Sequence, residues 1–123
     1  EVHGMSQRGG SVESHVRFGR KIYSPLIGPG QADFLLCFHA DEHPRLRHFL
    51  KEDGVDLVEY LEKVQGILEN PRCLNTALVG VLSAYLPIRE ESWKKALETV
   101  FKPKILEGNR DVFAKARALV VKT

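Results

Sequence analysis

The stretch ADFLLCF, residues 32–38, constrains the fold more than any other part of this 123-residue sequence. After Asp33 every position is apolar, so a strand here would present apolar side chains on both faces, as inner strands covered by helices do. Such a strand needs hydrogen-bonded neighbours, because each unpaired polar group of a buried backbone costs about 1 to 3 kcal/mol. The stretch therefore predicts an α/β domain with a multi-stranded sheet.

The residues on either side of this stretch predict two further elements. Residues 11–18 alternate in polarity and are typical of a half-buried strand, whose apolar face would hold Val12, Ser14, Val16 and Phe18. A turn at residues 19–21 would lead into a second hairpin arm ending at Pro25.

Residues 39–54 are polar and predict a crossover helix. Asp41 can cap its start, Pro44 fits the first turn, and Gly54 suits a C-terminal stop.

The sequence after Gly54 predicts helices and no further strand. Apolar residues recur at helical spacing over residues 56–68, 74–86 and 93–101, and Asn109 would open a fourth helix as its N-cap. The small residues Ala77, Gly80 and Ala84 would allow close packing against a sheet or another helix.

The predicted helices outnumber the strands that they should cover. We therefore predict a single three-layer α/β/α domain over residues 1–123, with a mixed or mostly parallel sheet. The strand deficit further predicts that segments of this domain are missing before residue 1 and near Gly54–Val55.

Composition and charge narrow the class of protein. The net charge is +2, and basic and acidic residues are interleaved, which is unlike the dense basic stripe of a nucleic-acid binder. Cys37 and Cys73 form neither a CxxC motif nor a cluster-binding set and are expected to be buried free thiols in a reducing compartment. No apolar run approaches the ~20 residues that span a bilayer. We expect a cytoplasmic protein without a nucleic-acid or membrane partner.

A histidine-rich stretch, with His39, His43 and His48 near Asp41 and Glu42, raises the question of a metal site. His39 and His43 share a helical face if that segment is helical, but HADEH is not HExxH and Pro44 interrupts it. We interpret these residues as the solvent-exposed start of a helix, and we assign neither a metal ligand nor a catalytic residue.

The opening loop GMSQRGGS, residues 4–11, is rich in glycine and carries one arginine. Free backbone N–H groups beside Arg8 could hold a phosphate or carboxylate. The loop leads into a strand rather than a helix, so the phosphate site of a helix N-terminus is absent. Alternatively, the glycines only allow positive φ in a tight entry to the strand.

Several stretches resemble one family. EVHGMSQRGGSVESHVRFG, IYSPLI and ADFLLCF resemble the gamma subunit or gamma domain of the 2-oxoacid:ferredoxin oxidoreductases, which use pyruvate, ketoisovalerate or 2-oxoglutarate. HGMSQRGGS is most similar to the indolepyruvate branch, where this piece is the small beta subunit. NTALVGVLSAYLP and VFKPKILEGNRDVFAKA are similar to later family segments. The sequence departs from the family pattern by lacking a GxGGQG turn before residue 1 and strand-forming sequence near Gly54–Val55.

The resemblance implies an accessory, non-catalytic subunit. The family oxidises a 2-oxoacid and coenzyme A to an acyl-CoA and carbon dioxide, and passes electrons through iron–sulfur clusters to ferredoxin. Thiamine diphosphate performs the chemistry. This sequence has neither a cluster-binding cysteine set nor a recognisable thiamine diphosphate motif, so we expect these cofactors on larger partner subunits and no activity from the chain alone.

The resemblance also gives the opening loop a candidate role. Arg8, with the amides of Gly9, Gly10 and Ser11, would contact an anionic group, for which coenzyme A is the candidate. An intersubunit salt bridge of Arg8 uses the same bidentate geometry and is an equal alternative. For the whole chain, a stand-alone α/β module that binds an anion or nucleotide is the alternative function.

Overall fold

The computed structural model of the protein describes residues 2–3, 13–19, 22, 24 and 26–121. Within these residues lie four strands and five α-helices: β1 Val2–His3, β2 Ser14–His15, β3 Ala32–Leu35, α1 His43–Leu46, β4 Leu50–Asp56, α2 Glu59–Ile67, α3 Leu74–Ser83, α4 Glu90–Val100 and α5 Pro103–Val121. Short 3-10 turns occupy Ala40–Glu42, Arg47–Phe49 and Pro71–Cys73. The chain divides into a strand unit, Glu1–Leu35 and Asp41–Asp56, and a helix unit, Leu36–Ala40 and Leu57–Thr123.

The strand unit contains a parallel pair of strands, β3 and β4. Ala32 and Leu35 of β3 are buried and Phe34 is half-buried. Within the described residues, however, β3 pairs with β4 alone and ends at Leu35, so it is shorter than the predicted inner strand over residues 32–38. Parallel strands need a crossover of a dozen or more residues, which residues 36–49 provide. The predicted α/β class is confirmed, whereas the three-layer arrangement stays a prediction.

Strand β4 corrects the prediction for residues 39–54. The predicted helix is reduced to short turns and α1, and Gly54 lies inside a strand instead of ending a helix. The pairing of Ala32 with Leu50 and of Phe34 with Val55 leaves a bulge in β4, which carries polar residues and hides the strand pattern. A Cβ on Gly54 would lie 3.0 Å from the Ala32 carbonyl oxygen, so the bulge brings the two backbones close together.

Strand β2 corrects the predicted face of residues 11–18. Val16 and Phe18 are 59% and 64% exposed, whereas Glu13 and His15, on the face predicted to be polar and outward, are half-buried. The antiparallel partner of β2 is β1, with Val2 opposite His15. Polar side chains turn inward here because they are hydrogen-bonded, which periodicity alone does not reveal.

The helix unit has a core built from α2, α3 and α5. Its most enclosed side chains include Leu57, Val64, Leu78 and Val81. Gly80 allows α3 to approach the backbone of α5, since a Cβ there would lie 2.5 Å from the Phe113 carbonyl oxygen. This confirms the prediction that small residues of α3 permit close helix packing.

The predicted helices at residues 56–68, 74–86 and 93–101 are confirmed by α2, α3 and α4, but the start of the last helix is wrong. Helix α5 begins at Pro103, a residue suited to a first turn, and passes through Asn109. Asn109 is buried and its amide nitrogen donates to the Ile105 carbonyl one turn earlier, so it is an interior residue and not a cap.

Candidate functional site

The predicted anion contacts Arg8, Gly9, Gly10 and Ser11 lie outside the described residues. The described chain resumes at Glu13, two positions later, and Glu13 belongs to a polar cluster that we call the Glu13 cluster: Glu13, His15, Glu42 and Arg45. Among the described residues, the Glu13 cluster therefore lies nearest in sequence to the predicted anion contacts.

Hydrogen bonds connect β2 to α1 through the Glu13 cluster. His15 Nε2 lies 2.8 Å from one carboxylate oxygen of Glu13, and Arg45 Nη1 donates to the other at 3.1 Å. Arg45 Nε donates to Glu42 at 2.8 Å. Both oxygens of Glu13 are thus engaged, and Arg45 is shared between two carboxylates.

The electrostatics of the Glu13 cluster follow from these contacts. The hydrogen bond from His15, with a further one from Arg45, lowers the pKa of the Glu13 carboxyl. The carboxylates of Glu42 and Glu13 raise the pKa of the Arg45 guanidinium. Because Arg45 is already paired, the cluster is suited to fixing the strand that follows the opening loop, rather than to binding a free anion.

A second pair of the strand unit joins α1 to the end of β4. His43 Nε2 lies 2.5 Å from Asp56 Oδ2, and both side chains are partly exposed. Sequence reasoning missed this pair because it placed Asp56 at the start of a helix. The carboxyl end of a parallel strand is a common location for ligand sites in α/β folds, and here it carries an imidazole paired with a carboxylate.

Among the described residues, no group of three or more His, Cys, Asp or Glu side chains is placed to hold a metal ion. His43 is paired with Asp56, and the His48 ring lies 4.2 Å from the Phe49 ring. Neither cysteine forms a disulfide; Cys37 is buried, as predicted, whereas Cys73 is only half-buried.

In the helix unit, two tyrosines form a polar contact between α2 and the end of α3. The hydroxyl oxygens of Tyr60 and Tyr85 are 3.3 Å apart. This hydrogen bond, together with burial, raises the pKa of Tyr85 to about 12. Lys63 Nζ lies 5.1 Å from the centre of the Tyr60 ring. Phenols with raised pKa values remain neutral hydrogen-bonding groups at physiological pH.

A cavity of about 320 Å³ lies between α4 and α5. Its apolar lining includes Leu97 and Phe113, and its charged lining consists of Glu90, Lys94, Glu107, Arg110, Asp111 and Arg117. Three carboxylates and three cations line it, so the formal charges of the lining balance and do not favour an anion. It therefore gives no support to a nucleotide-binding module.

These features define an α/β protein with a small parallel pair of strands and a helical unit. No helix in the described ranges is both long and apolar enough to cross a membrane. Residues 1–65 and 54–119 match the family described as Pyruvate ferredoxin/flavodoxin oxidoreductase. The chain belongs to this family.

Curated relatives agree with that assignment. The chain is 32% identical over 123 residues to the indolepyruvate oxidoreductase subunit IorB of Thermococcus kodakarensis and 33% identical over the same length to that of Pyrococcus horikoshii. Each alignment covers 100% of this chain and 55% of the relative. The IorB subunit of Archaeoglobus fulgidus is 47% identical over 53 residues, 43% of this chain and 26% of the relative.

The chain thus spans about half the length of the curated relatives that it matches over its full extent. No solved structure matches it significantly.

Proposed function

We propose that the chain is part of an accessory subunit of a 2-oxoacid:ferredoxin oxidoreductase of the indolepyruvate branch. The observation that carries this proposal is the similarity of the whole chain to proteins named as indolepyruvate oxidoreductase subunits. The family matches over residues 1–65 and 54–119 support it independently. The assembled enzyme would convert a 2-oxoacid and coenzyme A to an acyl-CoA and carbon dioxide, with electrons passed to ferredoxin.

In this proposal the reaction chemistry belongs to larger partner subunits. Thiamine diphosphate would supply the carbanion chemistry, and iron–sulfur clusters would carry the electrons. The full sequence has two cysteines, fewer than the usual four ligands of such a cluster, which supports placing the clusters on another chain. This chain would shape the assembly and would be inactive alone.

The opening loop is the part of the chain proposed to meet an anion. Arg8 and the amides of Gly9, Gly10 and Ser11 would contact coenzyme A or a carboxylate of a partner subunit. The Glu13 cluster supports this assignment, because its hydrogen bonds fix the start of β2 directly after the loop.

We also propose that residues 1–123 form a single family domain that lacks segments before residue 1 and near Gly54–Val55. The two family matches meet and overlap at residues 54–65, which supports a missing family segment there. Strand β4 is nevertheless continuous through Gly54–Val55 and pairs with β3 there, so the deficit of strands is smaller than the sequence predicted.

The test is an anaerobic pull-down of the tagged full-length subunit from its native host. Mass spectrometry would identify co-purifying chains, and dye reduction would be measured with indolepyruvate, pyruvate or 2-oxoglutarate. We expect a large partner and reduction that requires both a 2-oxoacid and coenzyme A. Omission of each substrate, and removal of thiamine diphosphate, are the controls. A chain that returns alone and binds phosphate-bearing ligands would favour the stand-alone module.

A further inference from the structure

We propose that His15 is a proton-sensitive latch, which holds the backbone at Ile27 against β2 while its ring is neutral and releases it when the ring is protonated. The latch lies within the strand unit and is independent of the proposed oxidoreductase role. It depends on two hydrogen bonds that engage both ring nitrogens of a half-buried histidine.

The two bonds fix the tautomer of His15. The backbone N–H of Ile27 lies 3.1 Å from His15 Nδ1, and a backbone N–H can only donate. Nδ1 must therefore carry a lone pair and no proton. The ring proton of neutral His15 then sits on Nε2, where it is donated to the Glu13 carboxylate at 2.8 Å.

Protonation of His15 changes the two contacts in opposite directions. A proton on Nδ1 would face the N–H of Ile27 and replace a hydrogen bond with two opposed donors. The contact between Nε2 and Glu13 would become an ion pair and would hold the ring in place. The Ile27 backbone, not the imidazole, is therefore the part that detaches.

The charged and aromatic neighbours of His15 come from several segments of the strand unit. Glu13 lies on the same segment, Arg45 of α1 reaches Glu13, and Glu42 in turn accepts from Arg45. From the Arg47–Phe49 turn, the Phe49 ring meets the His15 ring edge-on at 5.1 Å, and the His48 ring packs against Phe49. The Glu13 carboxylate thus attracts the protonated His15 ring, whereas the Phe49 ring offers no charge to stabilise it.

Release of the Ile27 backbone should stay local, because the hydrogen bonds that hold the residues before and after it do not involve an imidazole ring. The Arg17 guanidinium donates to the carbonyl oxygens of Ser24 and Leu26. The Gly30 N–H donates to the carbonyl oxygen of His48. These bonds persist on both sides of Ile27, so protonation would loosen a short segment between fixed points.

The test uses nuclear magnetic resonance on the isotope-labelled 123-residue chain. A long-range proton–nitrogen spectrum at neutral pH should show the Nε2–H tautomer of His15. As pH falls, the chemical shift of the Ile27 amide should follow the protonation of the His15 ring. The hydrogen-exchange protection factor of this amide should drop about fivefold or more, which corresponds to the net free energy of one hydrogen bond. An Nδ1–H tautomer of His15, or an Ile27 amide shift that does not change with protonation of the His15 ring, would contradict the proposal.

Two variants separate the latch from general acid loosening. His15→Asn places an amide oxygen near the position of Nδ1 and does not titrate, so Ile27 should keep its protection at low pH. His48→Asn is the matched control: it removes a nearby imidazole that contacts Phe49 but leaves the Ile27 contact, and the Ile27 response should remain. If His48→Asn abolishes the response while His15→Asn preserves it, the assignment to His15 is wrong.

Discussion

Gly80 of α3 lies directly against the backbone of Phe113 in α5, where a Cβ on the glycine would be 2.5 Å from the carbonyl oxygen. That atom belongs to a helix backbone and cannot rotate away. We therefore expect Gly80→Ala to force the helices apart and destabilise the protein by about 1 to 3 kcal/mol, despite the better helix propensity of alanine. Urea denaturation followed by circular dichroism would measure this change.

The matched control for Gly80 is another glycine of the same helix pair. Gly108 lies inside α5 and an added Cβ there would meet nothing within 4 Å. Gly108→Ala should stabilise the protein by about 0.5 to 1 kcal/mol, because alanine loses less conformational entropy in a helix. Equal effects of the two substitutions would contradict the close α3–α5 approach.

A buried hydrogen bond between α3 and α5 leads to a second prediction. The Thr76 hydroxyl donates to Asn109 Oδ1 at 2.7 Å, and both residues are buried. Thr76→Val keeps the shape but leaves the Asn109 oxygen without this donor, so we expect a loss of about 1 to 3 kcal/mol of unfolding free energy.

Thr99 is the control for Thr76. Its hydroxyl donates to the Lys95 carbonyl on the exposed surface of α4. Thr99→Val should change the unfolding free energy by no more than about 0.5 kcal/mol, since water can replace the bond. A Thr76→Val effect as small as this would mean that the buried bond contributes little.

The sequence predicted an apolar strand over residues 32–38, of which Ala32–Leu35 form β3, and it predicted the helices α2, α3 and α4. Their hydrophobic spacing reflects burial directly. It failed at β4, where the bulge places polar residues among the pairing ones, with Lys51 paired to Asp33 across the sheet. It also failed at Asn109, whose polarity suggested a helix start. Its side chain instead accepts from Thr76 of α3 and donates to the Ile105 carbonyl within α5.

The contacts of the Glu13 cluster could not be predicted from the sequence either. Glu13 and Arg45 are 32 positions apart, and no local pattern indicates that they meet. The alternation of residues 11–18 even placed Glu13 and His15 on the outward face. Their inward orientation depends on long-range partners in α1 and at Ile27, which only the folded chain supplies.

The tyrosine pair predicts a response to alkaline pH. The hydrogen bond with Tyr60, and burial, raise the pKa of Tyr85 from 10.0 to about 12. The unfolded chain therefore ionises first, and the stabilisation present below pH 10 should be lost as pH rises from about 10 to 12. Tyr60→Phe should lower the pKa of Tyr85, measured by ultraviolet titration in a Tyr23→Phe background that leaves fewer phenols. An unchanged titration would contradict the role of Tyr60.

The Glu13 carboxyl predicts an acid response of opposite sign. The hydrogen bond from His15, and then that from Arg45, lower its pKa below the ordinary 4.5. Its contribution to stability should therefore be present above pH 4.5 and be lost as pH falls through the lower folded pKa. Wild type should be more stable than Glu13→Gln at pH 7, and the two should converge in acid. A stability difference that persists in acid, after the Glu13 carboxyl has been protonated, would contradict this reasoning.

Arg8 provides the direct test of the opening loop in the proposed complex. If the Arg8 guanidinium contacts coenzyme A, Arg8→Ala should reduce kcat/KM for coenzyme A about ten- to a hundredfold, as expected for the loss of one charged hydrogen bond worth about 1.5 to 3 kcal/mol. The KM for the 2-oxoacid should change little. Arg47→Ala removes an exposed arginine of the strand unit and is the charge-matched control.

The outcome for Arg8→Ala separates the two alternatives for this residue. Failure to co-purify with the large subunit, with an unchanged circular dichroism spectrum of the isolated chain, would identify an intersubunit salt bridge. Normal assembly with unchanged kinetics would exclude both roles. Normal assembly with a selective effect on coenzyme A would assign the anion to the ligand, because a contact between subunits has no reason to distinguish one substrate from the other.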